Sequence, residues 1–139
     1  MEHKHTILYA EDDLDDLFMV EQAFEQFDGT VELIRAADGF ETLEKLKRAE
    51  AGDALPCLII LDINMPAMDG RETLRRIRQL ERFKDIPVIL FSTSSSSVDR
   101  SFAESMGVQL TTKPLVYSEL EELARTFLHL CTTAASEKA

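Results

Sequence analysis

Leu58-Ile59-Ile60-Leu61-Asp62-Ile63-Asn64-Met65-Pro66 is an apolar run that stops at a carboxylate. Turn-forming residues follow at Asn64, Pro66 and Gly70. A short run of branched aliphatic side chains bounded by turn signals describes a strand buried on both faces. The C-terminal edge of such a strand is where an open α/β sheet holds its ligands. The pattern therefore delivers Asp62 to a place suited to chemistry.

Upstream, residues 6–10 (Thr-Ile-Leu-Tyr-Ala) form a first short apolar strand, followed at once by Glu11, Asp12 and Asp13. Asp13 can cap a helix running to about Phe27, with Leu17, Val20, Phe24 and Phe27 on one face and Leu14 and Phe18 off it. Asp28-Gly29 ends that helix. Residues 31–36 alternate in part and describe an edge strand. Asp38 with Glu41 makes a capping box for a second helix, in which Leu43 and Leu46 point inward and 51–53 close the element. Downstream, Gly70 opens a third helix with Leu74 and Ile77 inward. Its other side carries Arg71, Arg75, Arg76 and Arg78, read as a solvated face. Residues 86–91 form a fourth strand with Pro87 near its start. The hydroxyl run 92–97 leads into a helix cap near Ser97, with Val98, Phe102 and Met106 as the helix's apolar seam. A fifth strand at 108–112 is broken by Lys113-Pro114. Ser118 with Glu121 then caps a last helix whose inward residues are Leu120, Leu123, Ala124 and Phe127. Five alternations of strand and helix describe a doubly wound (βα)5 sandwich: a parallel sheet with helices on both faces.

At 139 residues the chain has room for one domain, with a core over about 5–130 and a tail over 131–139 that frays from Ala134. Hydrophobic and charged contents of 45% and 29% are those of an ordinary globular protein. A net charge of −11 argues against a nucleic-acid surface and for partners with a basic or apolar docking face. Cys57 and Cys131 have no metal-ligand spacing and read as two reduced thiols of a cytosolic protein. Residues 1–9 lack a signal-peptide core, no run reaches membrane-spanning length, and His3 and His5 around Lys4 read as a frayed polar start. The expected setting is cytoplasmic, with neither nucleic acid nor membrane as partner.

The strand ends carry a consistent set of groups. Glu11 and Asp12 follow strand one, Asp62 ends strand three, Ser92 follows strand four and Lys113 follows strand five. Three carboxylates in one crevice repel and raise each other's pKa values. A hard divalent cation relieves that repulsion, and an oxygen-rich site with few donors suits Mg²⁺. Carboxylate, cation, hydroxyl and ammonium together cradle a phosphoryl group, with Asp62 as the nucleophile of an acyl phosphate.

These residues carry a family resemblance. The chain resembles the receiver domain of bacterial two-component response regulators over about residues 5–130. The markers are Glu11-Asp12, the segment from Leu61 through Asp62, Asn64 and Pro66 to Gly70, Ser92 after the fourth strand, and Lys113-Pro114. The resemblance implies a flavodoxin-like strand order of 2-1-3-4-5. It implies phosphorylation of Asp62 by a sensor histidine kinase or a histidine phosphotransfer protein. Asp12, Asp62 and the Asn64 carbonyl would ligate Mg²⁺, with Glu11 acting through water. Ser92, with Thr93 beside it, would bind the phosphoryl group as the switch hydroxyl, Lys113 would pair with it, and the Lys113–Pro114 bond would be cis. It implies a phosphoacceptor rather than an enzyme.

Two features depart from the family pattern. Leu110 stands where strand five usually carries an aromatic switch residue, in a turn that is one residue short between Gly107 and Lys113. The hydroxyl run also extends past Ser92 through Thr93 and Ser94. With no further segment read after the domain, the output is expected to be phosphorylation-dependent binding of an as yet unspecified downstream protein. Leu14 and Phe18, off the core stripe, form a candidate apolar docking spot for the phosphodonor. A pseudo-receiver that acts only as a scaffold lacks reason to keep the full acid, hydroxyl and lysine set. An Asp-nucleophile phosphatase needs a second acid where Asn64 stands, and a flavodoxin-like cofactor binder needs hydroxyls where Glu11 and Asp12 stand.

Overall fold

The computed structural model describes residues 5–27, 29–93 and 96–138. Its elements run β1 (His5–Ala10), α1 (Leu14–Glu25), β2 (Val31–Ala36), α2 (Gly39–Ala51), β3 (Leu58–Asp62), α3 (Gly70–Gln79), β4 (Val88–Ser92), α4 (Ser97–Met106), β5 (Gln109–Thr112) and α5 (Tyr117–Lys138). The five strands pair in parallel in the order β2-β1-β3-β4-β5, a flavodoxin-like sheet. All of β3 and β4 is buried, whereas β5, at the edge, is half-buried to exposed.

The pleat sends successive β3 residues to opposite layers. Leu58 and Ile60 pack with Ile7, Tyr9, Phe24 and Phe127. Ile59 and Leu61 pack with Leu8, Leu46, Leu74, Ile77 and Phe83. Phe83 lies on a 3-10 turn, Glu81–Phe83, that the residue pattern did not signal. The predicted caps hold at Asp13, which accepts from the amides of Asp15 and Asp16, and at Asp38, which accepts from that of Glu41.

Several expectations need correction. Helix α1 ends at Glu25, before Phe27, and the Asp28 of its expected stop, like His3 and Ser94, lies outside the described residues. Helix α4 is capped by Ser96, and its buried residues are Asp99 and Ala103; Val98 is 62% exposed. Asp99 faces inward because it meets Arg71 of α3, with Arg71 Nη2 donating to Asp99 Oδ1 at 2.6 Å. The α3 arginines are thus partly structural: Arg75 lies over the Phe102 ring, Arg76 over Phe40, and Arg78 donates to the Ile86 carbonyl at 3.0 Å. Helix α5 continues to Lys138, and Cys131 is fully buried within it rather than in a tail.

Cys57 and Cys131 are not two separate thiols. They are joined by a disulfide across 74 residues, with Cα atoms 5.0 Å apart, because β3 and α5 pack in the same layer. The Lys113–Pro114 bond is trans, since there is no cis peptide among the described residues. Trans is the ground state for an X-Pro bond. Here the Lys113 amide bonds to the Ser92 carbonyl at 2.7 Å while its side chain reaches the acids.

Candidate functional site

The site is built by continuing the sheet ladder one residue past three strand ends. The amide of Glu11 donates to Ala36 at 2.9 Å, that of Ile63 to Phe91 at 3.1 Å and that of Lys113 to Ser92 at 2.7 Å. These bonds fix the backbone where the functional side chains leave it. Gly70 brings α3 hard against the end of β3: its amide donates to the Ile63 carbonyl at 2.9 Å. A Cβ there would overlap the Asp62 carbonyl oxygen and sit 2.9 Å from Ile63 Cα.

Lys113 is the hub. Its ammonium donates to Glu11 Oε1 at 2.7 Å, to Asp16 Oδ2 at 2.9 Å and to Asp62 Oδ2 at 3.2 Å. Its side chain is only 10% exposed, and Glu11 is fully buried. Burial alone would lower the lysine's pKa, but the bonds to Glu11 and Asp16 and the charges of Glu11 and Asp62 outweigh it and hold the ammonium protonated well above its ordinary range. Burial, followed by contact with the Asp62 carboxylate, pushes the Glu11 carboxyl above its ordinary value, against the lowering pull of Lys113 and Tyr9. The Tyr9 hydroxyl donates to Glu11 Oε1 at 2.6 Å and is held neutral, first by burial and then by the charge of Glu11.

The structure gathers most of the expected residues. Carboxylate oxygens of Glu11, Asp12 and Asp62 lie within 4.8 Å of one another, with Asp12 the exposed member. The Asn64 amide donates to Asp62 Oδ1 at 3.1 Å, which fixes the carboxylate's orientation. Ser92 is buried at the end of β4, and Thr93 beside it is exposed. Pro114 follows Lys113 along a groove of about 220 Å³, which Asp16, Met19, Phe91 and Leu115 also line. Leu14 and Phe18 are 66% and 58% exposed, as their position off the core stripe implies, but they do not line that groove. Leu110 pairs in register with Leu90 and packs on the α2–α4 layer.

Two partners went unread in the sequence. In the sequence Tyr9 is one more residue of an apolar strand, and Asp16 is one acid among many. Asp16 falls three residues after the Asp13 cap, so the first turn of α1 carries it to Lys113. Three carboxylates converge, and Glu11 and Asp62 touch each other at the expense of Glu11's acidity. That set fits Mg²⁺, a hard cation that prefers carboxylate oxygen.

A parallel sheet in this order, with acids, a hydroxyl and a buried lysine at its carboxyl edge, defines a class of doubly wound α/β protein that holds its site at that edge. The response regulator receiver domain model matches residues 7–125, and the chain belongs to that family. A probable methanogenesis regulatory protein, FilR2, of Methanothrix harundinacea is 35% identical over 120 residues, covering 83% of this chain and 76% of that one. The solved structure of the phosphorylated cyanobacterial phytochrome response regulator RcpA matches with a TM-score of 0.81 and 29% identity, over 90% of this chain and 91% of that one. The Mn²⁺-bound form of response regulator Rcp1 matches with a TM-score of 0.76 and 30% identity, over 88% and 90%. Several other curated relatives are longer, and the chain spans about half or less of their length. The chain is thus a receiver domain of the two-component signalling type. No helix among the described residues is long and apolar enough to cross a membrane.

Proposed function

We propose that this receiver takes a phosphoryl group on Asp62 from the phosphohistidine of a sensor histidine kinase or histidine phosphotransfer protein. It signals by phosphorylation-dependent protein binding, as a phosphoacceptor rather than an enzyme, in the cytoplasm. The observation that carries the reading is the Lys113 hub, which holds Glu11 and Asp62 together at the carboxyl edge of the sheet. An Asp62 oxygen attacks phosphorus in line, the bond to the imidazole nitrogen breaks, and an acyl phosphate forms. Lys113 neutralises charge on the transferring oxygens, and the Asn64 amide orients the nucleophile. Mg²⁺ held by Glu11, Asp12, Asp62 and the Asn64 carbonyl would supply further charge neutralisation there. Ser92 and Thr93 bind the phosphoryl group once it is attached, and Leu14 and Phe18 form part of the surface the donor meets.

The test is labelling by a small phosphodonor such as acetyl phosphate, with and without Mg²⁺. Labelling that needs the metal and disappears in Asp62→Asn supports the reading. A base-labile acyl phosphate that persists in Asp62→Asn overturns the assignment, and absence of label in the native chain with every donor leaves a scaffold. For docking, Phe18→Ala is expected to slow transfer from the cognate kinase without changing labelling by acetyl phosphate.

A further inference from the structure

The opposite end of the sheet carries a second cluster that phosphoryl chemistry does not use. Cys57 sits just before β3, Cys131 lies in the second half of α5, and His5 opens β1. The two sulfurs are bonded, and a His5 ring nitrogen lies within 4.8 Å of both.

The two cysteines have different surroundings. Cys131 is fully buried and packs in the layer that holds Phe24, Ala124 and Phe127. Cys57 is half-buried, so it is the sulfur a small thiol can reach. Cys57 Sγ also lies 3.3 Å from the Thr6 carbonyl oxygen, an acceptor positioned for a thiol hydrogen. The same backbone therefore serves both states: a Cα separation of 5.0 Å suits the disulfide, and Thr6 satisfies the thiol. The Thr6 carbonyl also accepts the Cys57 amide at 2.9 Å, so the sheet ladder holds it beside the sulfur in either state.

The geometry points to a reversible disulfide between Cys57 and Cys131, opened and closed through Cys57 by small thiols, that clamps helix α5 to strand β3. In the opening step a thiolate RS⁻ attacks Cys57 Sγ. The Sγ–Sγ bond breaks, and its electron pair leaves on Cys131, where the His5 ring can hydrogen-bond the sulfur and the proton released by the thiol ends. A second thiolate attacks the outer sulfur of the mixed disulfide and frees Cys57. The balance is protein disulfide plus 2 RSH giving protein dithiol plus RSSR; the reverse reaction closes the clamp. A fully buried leaving sulfur and a reachable attacked sulfur make the exchange directional. The apolar contacts of Ala124 and Phe127 remain in the open state, so α5 stays folded on the sheet.

The full chain is equilibrated with reduced and oxidised glutathione at graded ratios, quenched with an alkylating agent in denaturant so that both thiols react, and weighed by mass spectrometry. The expected result is one transition between zero and two alkylated cysteines, with an unchanged far-ultraviolet circular dichroism spectrum throughout. Cys131→Ser is expected to take up one glutathione on Cys57, and Cys57→Ser to leave Cys131 unmodified until the protein is denatured. Alkylation of both cysteines at every ratio, in oxidised glutathione included, overturns the proposal. So does a disulfide that survives excess thiol until unfolding, which is a fixed cross-link. Stoichiometric zinc retained by the reduced chain and lost on removing His5, Cys57 or Cys131 overturns it too, in favour of a metal site.

Discussion

Lys113 reconciles two carboxylates that would otherwise repel each other, and the balance it strikes can be measured one residue at a time. Burial and then Asp62 raise the pKa of Glu11, while Asp62 gains only the longest of the three bonds from Lys113. Asp62→Asn removes the repulsion and leaves Lys113 its bonds to Glu11 and Asp16. The metal-free variant is expected to be more stable than the native chain, by on the order of 1 kcal/mol or roughly 3 °C in melting temperature. Thermal melts in chelator check this, and a lower melting temperature would contradict it. Glu11 supplies a pH prediction. Its folded pKa lies above the ordinary 4.5, so the native state binds more protons than the unfolded state just above that value. The stabilisation linked to this group is complete below pH 4.5 and is lost as pH rises through the elevated folded value. Urea midpoints across that window, in chelator, should show a falling component that Glu11→Gln removes.

At the level of elements, the loop between β3 and α3 is held from both sides. Gly70 lets the start of α3 touch the Asp62 carbonyl, and no side chain fits there. Gly70→Ala is expected to cost about 1–3 kcal/mol by overpacking and to reduce the rate of phosphodonor labelling by shifting Asp62. Normal labelling in a destabilised variant would separate the two effects and place the shift elsewhere. Helices α3 and α4 are joined by Arg71 and Asp99, whose side chains are 35% and 9% exposed. Arg71 Nε is buried without a partner among the described residues, so loss of Asp99 leaves the guanidinium poorly satisfied. Asp99→Ala is expected to cost about 2 kcal/mol in denaturant unfolding. Double-mutant combination with Arg71→Ala should recover part of that loss, because the pair is one interaction.

At the scale of the whole molecule, a cation that binds only the folded arrangement of Glu11, Asp12 and Asp62 must stabilise the fold by mass action. Mg²⁺ at 100 times its dissociation constant is expected to add roughly 2.7 kcal/mol, with little effect on Asp62→Asn. Calorimetry with and without the metal measures both. The architecture that makes this possible was legible along the chain. The fully apolar β3, the alternating elements and the acids, hydroxyl and lysine at strand ends are local signals, because burial on two faces and turn chemistry are written into consecutive residues. The inward turn of Asp99, the 3-10 turn that buries Phe83, the reach of Asp16 and Tyr9 into the acidic cluster, the trans bond before Pro114 and the meeting of Cys57 with Cys131 were not legible. The pairings of Asp99, Asp16 and Cys57 depend on which side chain another element presents, and the trans bond is a backbone choice that the residue types leave open. The sequence by itself determined the order of elements and the placing of Asp62 at a carboxyl edge, since both follow from periodicity along the chain. Only the tertiary structure decided which polar groups pair in the interior, since those contacts join residues as far as 102 positions apart.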